Sequence, residues 1–154
     1  MVGGRHGTFL AFPSDAYLGE ALLKYGEYGE AEFQFLREIW DALPSPRGCI
    51  VEVGANAGYL TVPLMTLADV VAFEPQPPVF ELLKKHVVQN GVPGLEVQVF
   101  NLAVSDAPGS VPCPVVPFSA ERCNHGGISM GVARDYDNIE VPCVTLDQKI
   151  AKPV

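Results

Sequence analysis

The chain has 154 residues, 48% hydrophobic and 18% charged, with ten basic against eighteen acidic side chains and a formal charge of -8. That length suits one domain burying roughly 70% of its unfolded surface, and the apolar content excludes disorder throughout. The acidic balance, with no basic stripe, excludes nucleic acid as an expected partner, and no window approaches the ~20 apolar residues of a membrane span.

The first residues read as a loop whose apolar stretch, broken by Pro13 and Asp15, is too short for a signal peptide, which makes the cytoplasm the default location. Ser14 or Asp15 can cap a short helix through Lys24 with Leu18, Leu22 and Leu23 on one side. After "YGEYGEAEF" a second helix is expected from about 30 to 43. Its wide apolar stripe comprises Phe33, Leu36 and Trp40, flanked by Phe35, Ile39 and Leu43, and Pro44 and Pro46 end it. Residues 14–47 thus form an expected helical cap.

From Gly48, "GCIVEV" is a short continuous apolar run, the pattern of a buried parallel strand. "GYLTVPLMTLA" reads as a helix with Pro63 near its first turn, and "DVVAFEP" as a second buried strand. "PPVFELLKKHVVQN" is a helix opened by Pro77 or Pro78, with Val79, Leu82, Leu83 and Val87 inward and Asn90-Gly91 as its stop. Lys84, Lys85 and His86 are expected on its solvated face. "LEVQVFNLAVSD" is a third strand, so residues 48–106 read β-α-β-α-β and imply an α/β fold with a parallel sheet.

Residues 107–154 are rich in Pro, Gly and polar side chains, with a strand at about 139–145. "GSVPCPVVPF" and "IEVPCVTL" can pair as an antiparallel excursion in which prolines 112, 114 and 117 confine the first to an edge. Cys49, Cys113, Cys123 and Cys143 have no metal-ligand spacing and read as reduced thiols.

The chemistry concentrates in "VEVGANAGYLT". Glycine at this place lets the backbone approach a ligand beyond the carboxyl ends of a parallel sheet. The dinucleotide pattern GxGxxG would need a third glycine where Tyr59 stands; the observed spacing is GxNxG, and Asn56 is among the few residues that enter the left-handed region readily. Glu52, two residues before Gly54, suits an ammonium better than a phosphate. Glu74, ending the second strand about 20 residues after the turn, stands where an acid accepts hydrogen bonds from ribose hydroxyls.

Together, "VEVGANAGYLT", "VVAFEPQP", "NLAVSD", "GGISM" and "VPCVTLD", preceded by "YGEYGEAEF", resemble the FkbM-type S-adenosylmethionine-dependent methyltransferases of class I, Rossmann-like fold. The likeness runs from about Tyr25 to Asp147. It implies that Glu52, Gly54, Ala55 and Asn56 border the methionine part of S-adenosylmethionine, with Tyr59 and Leu60 near it. It further implies that Glu74 holds the ribose, that Pro75, Leu102 and Ala103 lie against adenine, and that Tyr28 and Glu32 close over the pocket. The implied reaction is O-methylation of a hydroxyl on a sugar or natural-product-like small molecule, with S-adenosylhomocysteine as product. His125, Asp135 and Asp137 supply no assigned catalytic base.

The family's sheet continues into a fourth, central strand, whereas this sequence ends at "QKIAKPV". Only strands 3-2-1 of the family's order are then expected, within a single, incomplete domain whose first strand has an open edge. The expectations are a fragment, or completion by a partner chain or self-association through that edge. The alternatives to a methyltransferase are a catalytically inactive cofactor-binding or interaction module and, against Tyr59, an NAD-dependent oxidoreductase.

Overall fold

The computed structural model describes residues 1–11, 15–44, 48–116, 124, 126–127 and 136–150. Pro13, Ser14, Pro46, Pro117, Cys123, His125, Asp135 and most of "GGISM" lie outside the described residues.

The chain is mixed α/β. A short antiparallel pair, β1 (Val2–Gly3) and β2 (Thr8–Phe9), replaces the expected loop at the start. Helix α1 (Leu18–Tyr25) follows, and Asp15 caps it: Oδ1 accepts the N–H groups of Tyr17, Leu18 and Gly19 at 3.0, 2.7 and 3.4 Å, using up donors that a helix start leaves unpaired. Helix α2 (Glu30–Ala42) corrects an expectation. Of its apolar stripe only Phe33 is buried, its ring meeting His6 at 4.8 Å. Phe35, Leu36, Ile39 and Leu43 are exposed and Trp40 partly so. An amphipathic stripe needs an opposing layer, and among the described residues only the first turn of α2 meets one.

β3 (Cys49–Val53), β4 (Asp69–Phe73) and β5 (Val97–Phe100) form a parallel sheet in that order, with Val51 opposite Val71 and Phe73 opposite Phe100. α3 (Thr61–Leu64) and α4 (Pro77–Gln89) connect them. Pro63 sits in the first turn of α3 and Pro77 opens α4, both where a missing N–H costs no helix bond. Ile50, Val70, Ala72, Val97 and Val99 join Val62, Leu64, Met65, Val79, Leu82 and Leu83 in the main core. The reading of β3 as a fully buried strand is corrected. It lies at the sheet edge, as the motif order leads one to expect, but Cys49, Val51 and Val53 are exposed on the face away from that core.

The expected third strand is two. β5 ends at Phe100 because Asn101 turns its side chain inward, Nδ2 donating to the carbonyls of Glu74 and Pro75 at 2.8 and 3.0 Å. The chain resumes as β6 (Ala103–Val104) in a second sheet ordered β6-β8-β7. There β7 (Gly109–Pro114) pairs antiparallel with β8 (Asn138–Val144), and β7, carrying Pro112 and Pro114, is an edge strand, where prolines interrupt least. Pro142 lies in the middle strand, but β6 pairs only with Cys143 and Val144, so on that side it has no ladder to interrupt. Ala103, Cys113, Val141 and Cys143 make a small second core, and α5 (Leu146–Lys149) closes the described chain.

Candidate functional site

The turn after β3 adopts the conformation its composition favours. Gly54, Asn56 and Gly58 all take left-handed φ angles, 80°, 52° and 84°. The two glycines are required for different reasons. A Cβ on Gly54 would meet nothing within 4 Å, so the backbone there stands open to an approaching group. A Cβ on Gly58 would come within 2.7 Å of Leu83 Cδ1, so that glycine lets the turn pack against α4. The end of β4 anchors the turn: the N–H groups of Gly54 and Ala55 both donate to the Phe73 carbonyl at 2.9 Å.

Glu74 continues this anchoring. Its carboxylate, 3% exposed, accepts the Asn56 N–H on Oε2 at 2.9 Å and the Gln76 N–H on Oε1 at 2.8 Å. Burial pushes its carboxyl above the usual range, and the backbone donors at Gln76 and Asn56, with a further hydrogen bond from the Gln76 side chain, oppose the rise. An ionised carboxylate has about four acceptor sites, so three donors leave one at the strand end.

Glu52 is on the core-facing side of β3, partly buried, with Thr61 Oγ1 donating to its Oε2 at 2.6 Å. Burial pushes its carboxyl up to about 7; the Thr61 hydrogen bond pulls it down and the nearby Glu74 carboxylate adds to the rise. Among the described ion pairs, none supplies a cation to Glu52 or Glu74. Two acids thus converge beside the turn from the carboxyl ends of adjacent parallel strands, and a cation placed there would relieve the electrostatic strain.

The remaining expected residues divide. Ala55 is buried within the turn and Leu60 is partly buried where α3 begins. Pro75 and Leu102 are partly buried on either side of Asn101, which ties the ends of β4 and β5 together. Ala103 has left this sheet for the second core. Tyr59 is turned away from the acids: its hydroxyl donates to the Leu10 carbonyl at 3.1 Å and its ring meets Phe9 at 5.4 Å. Burial, with Asp15 adding, pushes its phenol up to about 12. Tyr28 shares a small recess with Tyr59, Phe9 and His6, whereas Glu32 is exposed. Asp137 is also exposed.

Several residues at the site were not anticipated. His86, expected on a solvated face with Lys84 and Lys85, is 2% exposed and hydrogen-bonded to the Ala57 carbonyl in the turn at 2.6 Å. It falls three and four residues after Leu83 and Leu82, a helical spacing that places it on the inward face. Thr61, through one side-chain bond, and Asn101, through two, act in ways that no periodicity announces. The second sheet also reaches the site. Burial first, and the Glu74 charge second, push the buried Cys113 thiol up to about 11. A Cβ on Gly126 would lie 3.5 Å from Asn56 Nδ2 and 3.2 Å from Leu18, so the excursion passes close to the turn.

No helix of the described residues is long and apolar enough to cross a membrane, and among them no cluster of His, Cys, Asp and Glu has a metal-holding arrangement. Comparisons of the chain with protein-family models, curated proteins and solved structures gave no match.

Proposed function

We propose that the chain binds S-adenosylmethionine at the turn after β3 and belongs to a methyltransferase of the type its motifs resemble, acting on a hydroxyl of a small molecule. The observation that carries this reading is the pairing of Glu52 and Glu74, without a cationic partner among the described residues, beside an open left-handed turn. S-adenosylmethionine brings an ammonium and a sulfonium but no phosphate, which matches two acids better than a pyrophosphate would. Glu52 would meet the positive end of the ligand. The open backbone at Gly54 would admit it closely, and the acceptor site that Glu74 has left would take a ribose hydroxyl.

Methyl transfer from a sulfonium is an in-line displacement on an activated donor, so holding acceptor and donor in line supplies much of the rate. An alcohol acceptor also needs a group to take its proton. His86 is not that group, since both ring nitrogens are engaged inside the fold.

Calorimetry of the folded chain with S-adenosylmethionine, S-adenosylhomocysteine and NADH tests the reading. Saturable binding of the first two is expected, and its absence, or tighter binding of NADH, overturns it. A second reading, a binding module without turnover, is favoured by the open edge at β3. Val53, 54% exposed beside the turn, leaves that side uncovered by described residues. Methyl transfer by the isolated chain to any of a panel of hydroxylated acceptors would exclude it.

A further inference from the structure

Phe9, Tyr59, His86 and Asn90 gather where the N-terminal segment crosses α4. Residues 8–11 lie against the helix: Thr8 and Phe9 pair with β1 on one side, and side chains from α4 and the turn hold the other side. The Asn90 amide accepts the Thr8 N–H at 2.8 Å and donates to the Thr8 carbonyl at 2.9 Å, as a strand backbone would. Two residues on, the Leu10 N–H donates to His86 Nε2 at 2.7 Å, and the Leu10 carbonyl accepts the Tyr59 hydroxyl at 3.1 Å. Phe9, 3% exposed, packs edge-on against the His86 and Tyr59 rings, 5.3 and 5.4 Å away, and those two rings lie 5.8 Å from each other.

These partners fix the protonation of His86. A backbone N–H can only donate, so Nε2 must carry a lone pair; the Ala57 carbonyl can only accept, so Nδ1 must carry the proton. The imidazole is neutral and joins two elements, the turn through Nδ1–H and the segment through Nε2. A second proton would go to Nε2. The bond to Ala57 would survive, while Leu10 would face a donor with a donor. Protonation therefore acts on one side only.

We propose that residues 8–11 are a proton-gated strap over the turn, latched by neutral His86 and released when His86 takes up its second proton. Release would withdraw Phe9 from Tyr59 and open the recess that Tyr59 shares with Tyr28, leaving the turn itself in place. The proposal holds whichever ligand the turn takes. Among the described residues, the titratable and charged groups around the imidazole are few. Lys85 lies beside it on α4 and opposes protonation, the Tyr59 phenol lies across the turn, and Asp15 is beyond Tyr59. Burial is the main cause holding the imidazole below its ordinary value, which sets release on the acid side of pH 6.5.

Amide hydrogen exchange of the full chain, followed by NMR from pH 8 downward with intrinsic rates divided out, tests the gate alongside the imidazole 15N shifts. The expected shifts at pH 8 are those of the Nδ1–H tautomer. From about pH 6.5 down to the lowered value at which latched His86 titrates, Leu10 protection should fall on the order of tenfold per pH unit and then level off, with Gly58 in the turn and Val62 in α3 unchanged. In the H86Q variant, whose amide offers a donor and an acceptor that do not titrate, Leu10 protection should not respond to pH over the same range. Four results would overturn the proposal: loss of protection at Leu10 and Gly58 together, an Nε2–H tautomer, a His86 that stays neutral until the whole chain unfolds, or a pH response retained in H86Q.

Discussion

Replacing Glu52 with Gln separates the cost of the acid from its use. The side chain keeps an oxygen to accept the Thr61 hydroxyl, and only the charge is removed. The Glu52 carboxyl stands at about 7 in the fold against an ordinary 4.5, so the folded chain holds a proton that the unfolded chain has released between those values. Stability contributed by this group is then complete below pH 4.5 and lost as pH rises through about 7. At ~1.4 kcal/mol per pH unit of displacement, the ionised group costs the free protein roughly 3 kcal/mol at pH 8.

Urea unfolding of wild type and E52Q at pH 4 and pH 8 measures it. The variant should be about 3 kcal/mol more stable at pH 8 and near parity at pH 4. Taking the difference between the two proteins removes most of the His86 contribution, which has the opposite sign: its lowered value adds stability as pH rises toward 6.5. Binding is the counterpart. S-adenosylmethionine affinity of the wild type should rise by up to about tenfold per unit as pH approaches 7 and then level off, and E52Q should lack both the rise and the affinity. Equal stability of the two proteins at pH 8 would refute the claim that burial strains this carboxylate. A wild-type affinity independent of pH would refute the claim that the ligand's cation meets it.

The two glycines of the turn should respond differently to alanine. Gly58→Ala combines left-handed strain with a Cβ 2.7 Å from Leu83, and should lose about 2–4 kcal/mol by urea unfolding, whereas Gly54→Ala, in open space, should lose only about 1–2. Equal losses would mean that α4 yields to the turn. Val51→Lys, at a 36% exposed position of the open edge strand, should change stability by less than about 1 kcal/mol and reduce self-association in sedimentation at high concentration. If both proteins are equally monomeric, the edge is already protected.

Much of the architecture is legible in the local sequence. The β-α-β-α-β order, the prolines at the starts of α3 and α4, the edge position of β7 and the left-handed turn at Gly54, Asn56 and Gly58 follow from short-range sterics and hydrogen-bonding capacity. These act within a few residues, so composition and spacing suffice to place them. The convergence of Glu52 and Glu74 is also legible in part, because parallel strands bring their carboxyl ends together.

The tertiary structure alone decided what each side chain faces. Periodicity marks the stripe of α2 as apolar, but whether it is covered depends on the existence of an opposing layer, and among the described residues only Phe33 finds one. β3 is a partial case: its open edge is expected from the motif order, but an apolar run does not show that Cys49, Val51 and Val53 stay exposed among the described residues. The Tyr59 hydroxyl fastens the Leu10 carbonyl, 49 residues away, and His86 reaches the Leu10 N–H across 76. Long-range hydrogen bonds of this kind depend on which polar groups folding buries together. A sequence shows that a histidine can hold two partners; only the fold supplies the turn on one side and the strap on the other.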